Sequence, residues 1–391
     1  MTDQISQSAL ALLTDLVGFN SVSSQSNLPL LEYVEKYLDA HGVWHTRVPA
    51  PEGPKSNLIA RIGPEAPGGI VLSGHTDVVP VAGQPWDTDP FTLTRKGSKL
   101  YGRGTSDMKS FLAVCLAMIP HWKTLNLKRP FWLAFSYDEE VGCLGVPHLL
   151  SHMTAKLPRP AFAVIGEPTL MQVVTAHKGV LSFETTVTGL EWHSSQPHLG
   201  VNAVHAACSL VHFLSSVAKE LAEGGKRDDR FNPPHTTVHV GTIHGGTARN
   251  IIPRECSFHW EIRPLPGDNH QAIIDRFEQQ CRQLEAPMKA VSAEAGIKSR
   301  PISRMMGVTL PQHATEYRAT VMRCAHTNAE QAVSFGTEAG VFNDNGIPAI
   351  ICGPGDIQQA HKPNEFIDVQ QIDACVDFML RLPSDAGMIT T

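Results

Sequence analysis

Two histidines and a set of carboxylates stand in this 391-residue chain where they could support metal-assisted hydrolysis. His75 and Asp77 lie two residues apart, so on an extended backbone their side chains leave the same face. An imidazole there can bind a metal while the carboxylate accepts from its second nitrogen; the pair also reads as a polar turn closing a strand. Asp107, in Tyr101-Gly102-Arg103-Gly104-Thr105-Ser106-Asp107-Met108-Lys109, can give one oxygen to each of two cations or can cap the apolar helix that follows. Capping does not need the glycines, which let the backbone approach another group closely. Asp138-Glu139-Glu140 crowds three carboxylates after an apolar stretch, which is unfavourable unless cations or protons relieve it, with a solvated loop as the alternative. Adjacent side chains point differently, so one Glu can bind metal while its neighbour stays free as a general base. Glu167 and His361 add one acid and one imidazole, each unremarkable alone. Together they give each of two metals a nitrogen, a terminal oxygen and a shared oxygen, a donor set suited to zinc and open to cobalt or manganese.

These residues need a scaffold that gathers them. Short apolar strands are expected at 57–62, 69–73, 130–137, 161–165 and 173–176, and helices at 28–41, 108–122 and 146–153. The alternation is that of an α/β sheet covered by helices. Gly74-His75-Thr76-Asp77, Asp138-Glu139-Glu140 and Gly166-Glu167-Pro168 each follow such a strand, where α/β sheets bind ligands. From 181 the rhythm becomes strand 181–188, helix 202–221, strands 236–243 and 256–263, helix 271–284 and strand 288–292, the βαββαβ order of a ferredoxin-like unit. A helix at 314–326, a strand at 348–352 and a helix at 371–382 return to the first domain. The expected organisation is a catalytic domain in two parts, 1–178 and 295–391, around an inserted domain at 179–294.

Composition narrows the class of partner. A net charge of −6 with scattered Lys and Arg offers no stripe for phosphate, which argues against nucleic acid. No stretch reaches the ~18 apolar residues of a membrane span, and the first 19 residues read as an amphipathic helix rather than a leader. The 8 cysteines form no C-x-x-C pair and mostly sit in apolar segments, as free thiols of a reducing, cytoplasmic compartment would.

The stretches GHTDVVP (74–80), YGRGTSDMK (101–109), DEEVGCLG (138–145), GEPT (166–169), HSSQPHLGVNA (193–203), RNIIP (249–253), IRPLPG (262–267) and GPGDIQQAHKPNE (353–365) occur in the order and spacing of the M20 metallopeptidase family, which the chain resembles over nearly its whole length. The resemblance implies a zinc-exopeptidase-like catalytic domain with a mixed sheet, plus a ferredoxin-like domain acting as lid and dimer surface. It implies that His75, Asp107 and Glu167 bind one metal and Asp107, Glu140 and His361 the other, with Glu139 as base, Asp77 behind His75, and a cis Asp107–Met108 peptide. His193 would reach an active site, often the partner subunit's, to stabilise an oxyanion; Asn250 and Arg263 would hold a substrate α-carboxylate. Trp192 departs from the small residue usual beside that histidine.

The reaction implied is hydrolysis of an N-acyl amino acid, a small molecule. Glu338, in Gly336-Thr337-Glu338-Ala339, matches a substrate-pocket segment, and a buried carboxylate there favours a cationic side chain such as that of N2-acetyl-L-ornithine over succinyl-diaminopimelate. The alternative reading is a first-turn helix residue favoured by the dipole. Acetylcitrulline, broader N-acyl amino acids and dipeptides are the neighbouring substrates, and an inactive binding protein on the same fold is the alternative from outside enzymology.

Overall fold

The computed structural model describes residues 2–389, which form two compact units: residues 2–176, 309–332 and 337–389, and residues 177–308 with 333–336.

In the first unit, four strands lie side by side and parallel, in the order Phe131–Ser136, Ile70–His75, Phe162–Pro168, Ala349–Gly353. All four are buried throughout, so their sequences are continuous apolar runs rather than alternating ones. Ser56–Ile62 joins antiparallel beside Phe131–Ser136, and Trp44–Pro49 beside that, making the sheet mixed. Parallel pairing turns every central strand's carboxyl end to one edge. His75 pairs in register with Ser136, and Gly353 with Pro168, so the segments starting at 75, 137, 167 and 354 leave from a common line.

The helix Lys109–Trp122 is apolar on every side and almost wholly buried, which places it between the sheet and the helices Thr2–Val17 and Val369–Asp385. Its N-cap is Met108, with no side-chain capping bond, so Asp107 is not spent on capping. Two short antiparallel strands, Thr94–Lys96 and Lys99–Tyr101, are extended by Phe366–Asp368, with Tyr101 opposite Phe366. None of these three was expected from the sequence, and they bring the 102–107 loop beside the segment that follows His361.

The second unit has the expected element order, with an antiparallel sheet Thr237–Gly245, Glu255–Arg263, Val180–Thr188, Gly296–Met305. Burial alternates along Val180–Thr188, the mark of a sheet with one face on a core. That core holds Phe183 stacked on Trp260 at 4.4 Å and the helices Ala203–Gly224 and His270–Val291. Asn202 and Asn269 cap these helices, each accepting from the N–H three residues on. One expectation fails here. Residues 288–291 belong to the helix, because Met288 falls two turns after Cys281 on the buried face that also holds Phe277. The closing strand is Gly296–Met305 instead.

Candidate metal centre

His75 is the last residue of its strand and is buried. Its Nδ1 lies 2.9 Å from the main-chain carbonyl of Asp77, an acceptor that requires Nδ1 to carry a proton, so that it is Nε2 the neutral ring would offer to a metal. Nε2 faces Asp107 Oδ1 at 3.0 Å and Glu167 Oε1 at 3.9 Å. The other Asp107 oxygen faces His361 Nε2 at 3.4 Å, and that nitrogen lies 2.9 Å from Glu140 Oε2. Asp107 thus turns one oxygen to each histidine, with Glu167 on one side and Glu140 on the other. The Asp107–Met108 peptide is cis.

Glu139 lies against the same group: His75, Glu139 and Glu167 offer ligand atoms within 4.8 Å of one another, as do His75, Asp107 and Glu140. Its carboxylate is met by the Cys143 thiol at 3.3 Å. The expected bond from the Asp77 carboxylate to His75 gives way to a different one, since Asp77 Oδ1 is 3.7 Å from Nδ1. That carboxylate instead accepts the main-chain N–H groups of Glu139 at 3.1 Å and Glu140 at 3.3 Å, and the Ser23 hydroxyl at 2.7 Å. Lys55 grips Asp138 through both carboxylate oxygens, at 2.6 and 2.8 Å, and so fixes the start of the same turn, where Asp138 has a φ of 55°.

The charges of this cluster are unbalanced. Burial pushes the carboxyls of Glu139 and Glu167 well above their usual range, and neighbouring carboxylates add to it. Glu140 is pushed up to about 7 by burial and by Asp107. Burial pulls His75 down, but its bond to Asp107 and the surrounding carboxylates hold it well above its ordinary value. His361 is raised to about 10 by its bonds to Asp107 and Glu140. Glu167 Oε1 is buried with no hydrogen-bond partner. An orphaned carboxylate oxygen and mutually repelling acids beside two imidazoles are what divalent cations would satisfy, and the mixed N and O donors fit zinc-type ions.

Glu338, also in the first unit, is buried with one oxygen held by the Ser73 hydroxyl at 3.0 Å and the other by the Ser136 hydroxyl. Both serines lie in the strands that lead to the site, and burial raises the Glu338 carboxyl above its usual range while the two hydroxyls lower it. In the second unit, His193 and Asn250 are exposed on two paired segments: Ser194 N–H donates to Asn250 O at 3.0 Å, and Ile252 N–H to Trp192 O at 2.8 Å. His193 Nδ1 is 2.7 Å from the Ser195 hydroxyl. Trp192 is 43% exposed and donates to Gln196 at 3.2 Å, so its bulk lies outside the core. Arg263 is not brought to these two. It ends the strand that begins at Glu255, about 27 Å further along at ~3.4 Å per residue, and is paired with Glu261 at 2.8 Å.

The sequence reading missed Ser23, Lys55, Gln84, Arg103, Ser73, Ser136 and Glu365. Arg103 and Glu365 stood inside quoted motifs, but only their mutual contact reveals what they do.

Two imidazoles and four acids gathered at the carboxyl edge of the parallel sheet could hold metal ions, and residues 71–385 match peptidase family M20/M25/M40. The chain belongs to this family and is a hydrolase of it. It is 35% identical to an acetylornithine deacetylase of Proteus mirabilis (strain HI4320) over 386 residues, 95% of each chain, and 33% identical to an acetylornithine deacetylase of Myxococcus xanthus over 383 residues, again 95% of each. Among solved structures, an M20 family metallo-carboxypeptidase from Sulfolobus solfataricus superposes with a TM-score of 0.79 at 18% identity, covering 97% of this chain and 99% of that one. Human carnosine dipeptidase 1 gives 0.73 at 15%, covering 99% and 100%. These last two likenesses concern the fold.

Proposed function

We propose that the protein hydrolyses the amide bond of N2-acetyl-L-ornithine to L-ornithine and acetate, a step of arginine biosynthesis, with two zinc ions as cofactor. The observation that carries this reading is Asp107 standing between His75 and His361, one oxygen to each. In this reading His75, Asp107 and Glu167 hold one ion, and Asp107, Glu140 and His361 the other. When bound, such ions polarise the acyl carbonyl and lower the pKa of water.

Glu139 then takes a proton from the attacking water and returns it to the departing amine. Asp77 keeps that carboxylate in place through the N–H groups of residues 139 and 140. His193 donates to the oxyanion, and Asn250 and Arg263 bind the α-carboxylate, Arg by its paired donors. The ~27 Å length of the strand from Glu255 to Arg263, with Asn250 lying before its start, supports a homodimer in which one substrate meets residues of two copies. The free edge of Thr237–Gly245, with Ile243 43% exposed, supports the second unit as the dimer surface. All eight cysteines are free, which supports a cytoplasmic setting.

The choice of acetylornithine rests on the named relatives and on the buried negative charge of Glu338. The test is kcat/KM for acetylornithine, acetylcitrulline, acetylmethionine and succinyl-diaminopimelate with defined zinc. Acetylornithine should lead. A preference for succinyl-diaminopimelate, or equal rates on acetylmethionine and acetylornithine, would replace this substrate with one used elsewhere in the family.

A further inference from the structure

Glu365 is fully buried, and its carboxylate is saturated. Oε1 accepts the main-chain N–H groups of Ser106 at 2.8 Å and Asp107 at 3.0 Å. Oε2 accepts the N–H of Gly104 at 3.0 Å and Arg103 Nη1 at 2.7 Å. The Glu365 carbonyl takes a fifth bond, from Gly102 N–H at 3.0 Å. One side chain therefore folds the whole loop that presents Asp107.

Glu365 also lies four residues after His361, and a second set of bonds returns to that histidine. Arg103, itself buried under Trp86 with 5.1 Å between guanidinium and ring, donates to Gln84 Oε1 at 2.6 Å and to Lys362 O at 3.3 Å. Gln84 Nε2 donates to the carbonyl of His361 at 2.8 Å. His361 needs such support: its φ is 64° and its side chain is 58% exposed, so little packing holds it. The pairing of Phe366–Asp368 with Lys99–Tyr101 anchors both segments from the other side.

We propose that Glu365, with Arg103 and Gln84, is a positioning residue that sets the spacing between Asp107 and His361 and thereby the retention of the ion these two share with Glu140. The role rests on the two-metal reading above. The other ion shares Asp107 but takes its two remaining ligands, His75 and Glu167, from strand ends that Glu365 does not touch, so it should respond less.

The experiment loads wild type, Glu365→Gln and Gln84→Met with zinc alone, then follows release of each ion to a chromophoric chelator and the melting temperature with and without zinc. The amide of Glu365→Gln turns N–H donors toward N–H donors on one side of the clamp. It should speed release of one ion by about tenfold or more, within the ~10–100-fold range of partners that orient ligands, and speed that of the other by a clearly smaller factor. Its melting temperature should fall further in the zinc-loaded protein than in the metal-free one. Gln84→Met, at a partly exposed site, should affect the same ion by a smaller factor and decides the matter if Glu365→Gln does not fold. Unchanged release in a folded Glu365→Gln, or equal loss of both ions with equal falls in both melting temperatures, would overturn the proposal. A wild type that holds no stoichiometric zinc would instead remove the two-metal reading itself.

Discussion

Asp77 joins His75 to Glu139: its main-chain carbonyl accepts from the imidazole at 2.9 Å while its carboxylate accepts the Glu139 N–H at 3.1 Å. Asp77→Asn leaves the carbonyl untouched but converts one of the two accepting oxygens into a donor. The expected outcome is a fall in kcat of about 10–100-fold, with KM and zinc content near wild type. Zinc lost in proportion to kcat would show that Asp77 serves the metal ligand rather than the base.

Glu139→Gln removes the proton acceptor and keeps the turn. Turnover should drop by at least ~10²–10⁴-fold, the usual worth of a positioned acid–base group, while bound zinc, measured by elemental analysis, remains. Loss of both together would make Glu139 a ligand.

Dialysis against a chelator should abolish acetate release, and zinc, cobalt or manganese should restore it. It should also lower the melting temperature, because an ion that binds only the folded state stabilises it, and because the acids gathered around Asp107 lose their counter-charge. Activity that survives complete metal removal excludes the metallohydrolase class for this protein.

Glu338→Gln tests the electrostatic part of substrate choice. Its oxygens already engage Ser73 and Ser136, so the amide can keep one of these bonds while the charge disappears. The kcat/KM ratio of acetylornithine over acetylcitrulline should fall by several-fold. An unchanged ratio would make Glu338 a structural brace.

Stability should depend on pH through His177, which is buried, donates through Nδ1 to the Lys178 carbonyl, and is pulled down to about 4 by burial. The unfolded chain protonates this histidine near its ordinary value and the folded chain does not. Its contribution is therefore complete above about pH 6.5 and is lost as pH falls toward 4, to a total on the order of 3 kcal/mol. Denaturant unfolding of His177→Gln across that range should show a slope lower by up to about one proton; parallel slopes would refute the assignment.

How far the sequence foretold this site depended on the kind of contact involved. His75, Glu140 and Glu167 were legible because residue type and position after an apolar strand are local properties, and Asp107 because it stands in a glycine-containing loop just before an apolar helix. The Glu365 clamp was not, since it joins positions 258 to 262 residues apart and follows from the pairing of short strands that carry no apolar period of their own. The Asp77 carboxylate was legible as a partner, but which partner depended on how the 138–140 turn folds back over it. Residues 288–292 went astray for a plainer reason: a short apolar run fits strand and helix alike, and only the buried face shared with Phe277 and Cys281 decides.

The strand Ala349–Gly353 lies in the sheet between Phe162–Pro168 and Val173–His177, two strands that are near neighbours in the chain. A slot must stay open between them until a segment more than 170 residues later inserts, and only then does His361 arrive. Closing so large a loop costs entropy, so insertion of this strand, and with it the approach of His361 to His75 and Glu167, is expected late in folding. Half-made chains would present His75 and Glu167 without their counterpart, which ties stable metal capture to completion of the sheet.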